Sequence, residues 1–134
     1  MTLLDVTPLS LGIEVRPAGG ISVMIPRNTP IPTRKEHIYR TSSNNQVRVS
    51  ISVYQGEGAK VKDNIFLDEF FLHGIPPAPK GKEKMNVCFS IDANGILDVS
   101  DELVSSGNKR GIVIAGSGNI SKDDVRKMLE KVKL

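Results

Sequence analysis

The chain has 134 residues, of which 39% are hydrophobic and 25% are charged, which is typical of one folded domain and excludes wholesale disorder. No stretch approaches the roughly 18 consecutive apolar residues of a membrane-spanning helix, and no basic start followed by an apolar core marks a secretory signal. The net charge of +3 is small and the aromatic residues are few, so composition does not favour nucleic acid or a membrane as a partner.

Four runs in the first part of the chain predict strands, and all of them except residues 37–41 alternate apolar and polar residues, which indicates one buried face. They cover residues 9–15, 21–25, 37–41 and 46–55, and the apolar set of the second run is Ile21, Val23 and Ile25. In the last run, QVRVSISVYQ, the β-branched residues at every second position disfavour a helix. We predict a turn at residues 16–20 and an irregular crossing loop at the prolines of residues 26–33.

The second part of the chain continues the pattern. We predict strands around residues 67–72 and over residues 85–91, 96–100 and 111–115. Asn94 and Gly95 separate two of these runs and predict a tight hairpin, because both residue types tolerate a positive φ. Short strands with frequent turns indicate an antiparallel sandwich or barrel, and the pattern alone leaves that choice open.

The end of the chain changes from strand to helix periodicity. Ser121 stands three residues before Asp124, as in a capping box, and the apolar residues that follow lie on one helical stripe. We therefore predict a helix over residues 121–134. No glycine or proline ends the stripe, so we expect this helix to be longer in the parent protein.

The chain offers no catalytic constellation, and we predict that it is not an enzyme. His37 and His73 lack neighbours at metal-ligand spacing, so no metal site is predicted. Asp92, Asp98 and Asp101 flank a hairpin, where turn and cap roles suffice. The glycines of residues 111–118 lack the Lys-Ser/Thr of a phosphate-binding loop. Cys88, the single cysteine, is predicted to be a packed thiol; it excludes an internal disulfide and favours a reducing compartment, the cytoplasm or an organelle.

Binding is the remaining class of function. The period-two strands carry more branched apolar side chains than a closed core demonstrably needs. Either all of them are core, or some of them meet an extended peptide, which a β-sheet domain binds by backbone hydrogen bonds and apolar pockets.

Five segments carry a resemblance to a known family. DVTPLSLGIE (residues 5–14), NTPIPT (28–33), QGE (55–57), GIPPAP (74–79) and IDANGILDVS (91–100) resemble, in order and spacing, the substrate-binding domain of the 70-kDa heat-shock chaperones of the DnaK type. The resemblance implies a two-layer antiparallel β-sandwich at residues 6–120 that holds a short, extended, hydrophobic peptide. It also implies the end of an interdomain linker at residues 1–5, with Leu3, Leu4 and Asp5, and the start of a helical lid at residues 121–134.

The resemblance also implies site residues and partners. The implied peptide-binding residues are Leu11, Ile13, Val15, Tyr39, Thr41, Val49, Ile51 and Met85, and Arg16 and Ser42 would form an arch over the peptide. Val49 corresponds to the floor of the central pocket. The implied partners are unfolded client segments, the nucleotide-binding domain of the parent, which would bind ATP and Mg²⁺, and J-domain co-chaperones. The exposed groove also predicts self-association, and no cofactor is expected in this chain.

Two departures from the family pattern leave another function open. The loop at residues 16–18 is longer than is usual in the family, and Tyr39 stands where Phe is more frequent. With an altered arch, the chain would be a regulatory or interaction domain of a chaperone relative without client binding. A third class, a basic nucleic-acid-binding β domain, predicts binding that falls steeply with salt.

Overall fold

Two four-stranded antiparallel sheets face each other in the computed structural model, which describes residues 5–16 and 19–115. The strands are β1 (Leu11–Val15), β2 (Gly20–Ile25), β3 (Thr33–Arg40), β4 (Arg48–Gln55), β5 (Ile65–His73), β6 (Lys84–Ile91), β7 (Leu97–Leu103) and β8 (Lys109–Ile114). Sheet one has the order β2-β1-β4-β5 and sheet two the order β3-β6-β7-β8. The predicted β-sandwich is confirmed, whereas the predicted helix at residues 121–134 and the linker residues Leu3 and Leu4 lie outside the described residues.

The inner faces of the two sheets form the core, because alternate residues along each strand point between the sheets. The buried members of the main cluster are Leu11, Ile13, Met24, Ile25, Ile51, Val53, Phe70, Val87, Phe89, Ile91, Leu97 and Val99. Burying one large apolar side chain contributes about 1.5–3 kcal/mol, so this face accounts for the stability of the sandwich. A smaller cluster of Leu72, Ile75, Met85 and Leu103 lies beside it, and Val49 packs against both clusters.

Burial along β4 is graded, and this gradient positions the site. Val53 is 0% exposed and Ile51 is 3% exposed, whereas Val49 is only half-buried. Val47, immediately before the strand, is 53% exposed. The apolar face of β4 therefore leaves the closed core and opens toward solvent at the start of the strand.

The predicted hairpin between β1 and β2 is confirmed, but the predicted alternation along β2 holds only in part. Val23 is 53% exposed, while Met24 and Ile25 are both buried. The pairing explains this, because Leu11 lies opposite Ile25 and Gly12 opposite Val23, so that Met24 is an extra residue in a β-bulge. A bulge changes which residues of a strand face inward, and period-two counting does not detect it.

Strand β3 begins earlier than predicted, at Thr33 instead of His37. It is an edge strand of sheet two, and its first residues include exposed Arg34, Lys35 and Glu36. Charged side chains weaken the alternation signal, but they suit an edge that must not pair with another chain.

The hairpin between β6 and β7 forms where predicted but with a different turn. The Gly95 N–H donates to the Asp92 carbonyl at 3.0 Å, and Gly95 alone of the Asn94-Gly95 pair has a positive φ, of 81°. The Asp92 carboxylate accepts the N–H groups of Asn94 and Ile96 at 2.9 and 3.0 Å. The turn role predicted for Asp92 is therefore confirmed, and its side chain selects this turn over the two-residue type.

The bulge between β1 and β2 requires a glycine. A Cβ atom on Gly12 would lie 2.3 Å from the backbone oxygen of Ser22, so Gly12→Ala should lower the free energy of unfolding by on the order of 1–3 kcal/mol. Gly20→Ala is the matched control in the same hairpin, because its Cβ would meet nothing closer than 3.6 Å and should change stability by less than about 0.5 kcal/mol. Urea denaturation measures both changes, and equal effects of the two substitutions would contradict the close approach at Gly12.

Candidate functional site

A cavity of about 120 Å³ lies between the two sheets at the end of the sandwich where β4 opens. Its walls come from the ends of β1 and β3, the beginnings of β4 and β6, and an inner-face residue of β7. The antiparallel pairing brings these strand ends together, since β1 and β3 end where β4 and β6 begin. The cavity is thus a continuation of the core that remains open on one side.

Eight of the residues that the resemblance implied line this cavity. They are Ile13, Val15, Arg16, Tyr39, Ser42, Val49, Ile51 and Met85. Ile13, Ile51 and Met85 are almost fully buried and form the inner wall, whereas Val15, Tyr39 and Val49 are half-buried. The structure therefore brings together apolar side chains from both sheets around one opening, and their contact with a peptide stays a prediction.

Leu11 and Thr41 do not line this cavity. Leu11 is 2% exposed in the core, farther along β1, and lines a separate small cavity with Leu9 and Ile31. Thr41 is buried after the end of β3, where its carbonyl oxygen and Oγ1 both accept the Gly81 N–H, at 3.0 and 3.1 Å. These positions give Leu11 a core role and Thr41 a loop-anchoring role.

Tyr39 forms the wall contributed by sheet two. Its hydroxyl is hydrogen-bonded to Ser22 Oγ at 2.6 Å and donates to the Met24 sulfur at 3.4 Å. Burial raises the pKa of the Tyr39 phenol, and the hydrogen bond with Ser22 offsets part of that rise. Because both hydrogen-bond partners belong to β2, the phenol ties the edge strands of the two sheets together and orients the ring beside the cavity.

The mouth of the cavity is polar and already hydrogen-bonded. The exposed Arg16 is 3.7 Å from the half-buried Glu14, and the Arg40 guanidinium donates to the Gly81 carbonyl at 3.1 Å. The Ser42 backbone N–H donates to the Gln46 side-chain oxygen at 2.8 Å, which orders the loop between β3 and β4. The two predicted arch residues, Arg16 and Ser42, both line the cavity, and their role as an arch stays a prediction.

Asp101 is a cavity residue that the sequence reasoning missed. It was predicted to serve a turn or cap, but it lies within β7, is 0% exposed and lines the cavity. Among the described residues, neither carboxylate oxygen has a hydrogen-bond partner. Leu97, Val99, Asp101 and Leu103 alternate along β7, and this period-two pattern was the signal that placed Asp101 on the inner face.

The environment of Asp101 changes its protonation. Burial raises the pKa of its carboxyl from 3.8 to about 7, and the nearby Glu102 backbone N–H lowers it only in part. Arg110 lies directly opposite on β8 but forms no ion pair with it. Among the described residues, the carboxyl is therefore a buried acid without an ion-pair partner, an arrangement that is costly for folding and common at functional sites.

The other predicted chemical groups occupy unrelated positions. Cys88 is buried, as predicted for a packed thiol, while His37 and His73 lie on different sheets. Within residues 5–16 and 19–115, no cluster of three His, Cys, Asp or Glu side chains is arranged to hold a metal ion. Over the same ranges, no helix has the length and apolarity needed to cross a membrane.

Comparison with known proteins gives a match along the whole chain. Residues 1–134 match the family model described as Hsp70 protein. The chain is 46% identical to chaperone protein DnaK of Thermotoga petrophila and 47% identical to that of Thermus thermophilus, over 133 residues in each case. It is 49% identical over 135 residues to the mitochondrial heat shock 70 kDa protein of Pisum sativum. The alignments cover 99–100% of this chain but only 20–22% of these relatives, so the chain spans about a fifth of their length.

The buried acid should make stability depend on pH. The folded protein holds the Asp101 proton up to about pH 7, whereas an unfolded chain releases it near pH 4. The free energy of unfolding should therefore fall as the pH rises between those two values. From pH 5 to pH 8 the loss should be at most about 3 kcal/mol, at about 1.4 kcal/mol for each pKa unit. Asp101→Ala should abolish this part of the pH dependence and stabilise the protein at pH 8.

Urea denaturation at pH 5 and pH 8 measures this effect. Asp98→Ala is the control, because Asp98 is exposed on the other face of the same strand and should leave the pH dependence unchanged. If wild type and Asp101→Ala lost the same stability between the two pH values, the Asp101 carboxyl would not be a buried acid in the folded protein.

Proposed function

Since the chain belongs to the Hsp70 family, we propose that it is the substrate-binding module of a molecular chaperone, which holds a short, extended, hydrophobic segment of an unfolded client. The observation that carries this proposal is the opening of the core at Val49. Val49 packs against both core clusters yet remains half-buried at the edge of a cavity. A hydrophobic side chain from outside can complete the packing that the protein itself leaves unfinished.

The energetics suit a broad range of clients. A leucine-like side chain that leaves water for this cavity gains on the order of 1.5–3 kcal/mol, supplied by the apolar wall of Ile13, Ile51 and Met85. An extended peptide adds backbone hydrogen bonds that do not depend on its sequence. One preferred side chain with otherwise unspecific backbone contacts is the recognition expected of a protein that binds many unfolded segments.

We also propose how the module is controlled. Residues 6–120 would form the binding domain, residues 1–5 the end of an interdomain linker and residues 121–134 the start of a lid. ATP with Mg²⁺ would be bound and hydrolysed by a separate nucleotide-binding domain of the parent, so this chain itself would be neither an enzyme nor a holder of a cofactor. J-domain co-chaperones and a cytoplasmic or organellar location are part of the same proposal, as is self-association through the open cavity.

A regulatory or interaction domain without client binding is the second candidate. The observation that favours it is the charged mouth of the cavity, where Glu14, Arg16 and Arg40 stand around the entrance. Charged side chains at an entrance lose hydration when an apolar peptide covers them, which weakens peptide binding.

Peptide titration separates these functions. A fluorescent, leucine-rich, extended heptapeptide should bind the wild-type chain saturably, with an affinity nearly independent of salt, because apolar burial is not screened. Val49→Phe should weaken binding at least tenfold, because the larger ring occupies the cavity. Val113→Phe is the matched control, since Val113 is 64% exposed on β8 and does not line the cavity. Fluorescence anisotropy at two salt concentrations measures all three affinities.

Each alternative has its own outcome in this experiment. Absence of binding by a folded wild-type chain would contradict client binding and favour the regulatory function. An equal loss of peptide affinity in Val49→Phe and Val113→Phe would contradict the cavity as the binding site. Binding that falls steeply with salt would instead indicate an electrostatic partner.

A further inference from the structure

The inner end of the cavity differs chemically from the rest of its wall. Ile13, Ile51, Met85 and Val87 make the interior apolar, but Asp101 adds a carboxyl group among them. Asp101 lies directly opposite Val87 in the β6–β7 pairing, so both side chains face inward from sheet two. Asp101 is 0% exposed, and within the part of the chain that the structure describes neither of its carboxylate oxygens is hydrogen-bonded.

No charged group of the described chain compensates this carboxyl. Along its row across sheet two, Arg110 of β8 and His37 of β3 stand on the same face, and both are exposed. Neither of them forms an ion pair with Asp101. The row across sheet two therefore has His37 and Arg110 at its two ends, and Asp101 between them without an ion pair to either.

The remaining polar groups of the cavity are already engaged elsewhere. Tyr39 hydrogen-bonds Ser22, Arg16 pairs with Glu14, and Arg40 donates to a backbone carbonyl. They stand at the wall and the mouth, whereas Asp101 is at the inner end. None of these side chains therefore donates to Asp101.

We propose that Asp101 is a specificity-determining residue of the cavity, which favours a client side chain with an aliphatic stem and a cationic tip, that of lysine, over an equally long apolar side chain. This inference rests on the proposed function, since it names the side chain that the same cavity prefers. The stem would pack on the apolar wall, and the ammonium would donate to the carboxyl at the inner end.

The physical argument is that folding has already removed the carboxyl from water. Binding of lysine therefore adds only the desolvation of the incoming ammonium, while it relieves the unsatisfied acceptor that was present before binding. A norleucine side chain has the same unbranched stem but leaves the acceptor unsatisfied. The carboxyl oxygens are closed to solvent in the empty cavity, so the lysine tip reaches them only when the apolar side chains beside them move slightly.

The test uses two leucine-rich heptapeptides that differ only in the central residue, lysine or norleucine. At pH 8 the wild-type chain should bind the lysine peptide about tenfold more tightly than the norleucine peptide. Asp101→Ala should abolish this preference, so that the two peptides bind it with equal affinity, and the nearly isosteric Asp101→Asn should do the same. Asp98→Ala, which removes an exposed carboxylate from the same strand, should retain the preference.

A second measurement separates Asp101 from the general charge of the protein. At pH 5.5 the Asp101 carboxyl is protonated, so the wild-type preference for lysine should fall, although the peptide keeps its charge. The other titratable and charged groups near the cavity are His37 and Arg110 on the same row, and Arg16, Arg40 and Glu14 at the mouth. Because Asp101→Ala retains all of these groups, its lysine-to-norleucine ratio should not change with pH.

The outcomes are distinct. Equal wild-type affinities, or a lysine preference that survives in Asp101→Ala and Asp101→Asn, overturns the role of Asp101. The proposed function still stands in that case, provided that norleucine peptide binding is lost in Val49→Phe. Failure of the folded wild-type chain to bind either peptide overturns the proposed function, and this inference with it. Circular dichroism establishes that each variant is folded.

Discussion

The burial of one face of β4 is the interaction on which the rest of the structure depends. β4 is an inner strand of sheet one, paired with β1 on one side and β5 on the other. Its residues Ile51 and Val53 belong to the main core, and they hold sheet one against sheet two. The same face continues to Val49, which is only half-buried. One row of side chains therefore both closes the sandwich and forms the wall of the cavity, so the packing of the core also holds the cavity wall in place.

Local irregularities make this continuous core possible. The bulge at Met24 turns two successive residues of β2 inward, and a second irregularity opposite Val53 and Tyr54 interrupts the pairing of β5 near Leu67. Regular alternation would have left Met24 outside the core and would have removed the sulfur that the Tyr39 hydroxyl contacts. The orientation of a cavity-wall residue on sheet two thus depends on a bulge at the edge of sheet one.

Asp101 shows a conflict between stability and the chemistry of the site. Every other inward-facing residue of β7 is apolar, and a carboxyl in that row lowers stability at neutral pH because it has no partner. Residues that break the local rule without an evident compensating contact are expected where a protein binds something. The position of Asp101 on the cavity lining gives this exception a functional interpretation that a position elsewhere in the core would not support.

Local patterns in the sequence were sufficient for an antiparallel, mainly β fold and for the position of β4, whereas the family resemblance supplied the choice of a sandwich and most of the cavity wall. Alternation at Val49, Ile51 and Val53 reflects the geometry of a single strand, and motif resemblance identified Ile13, Tyr39 and Met85, which the fold brings to one cavity. Only the tertiary structure decided the bulge at Met24, the core position of Leu11 and the isolation of the Asp101 carboxyl. These features depend on which residues stand opposite each other across strands and between sheets, and such long-range pairing leaves no local pattern.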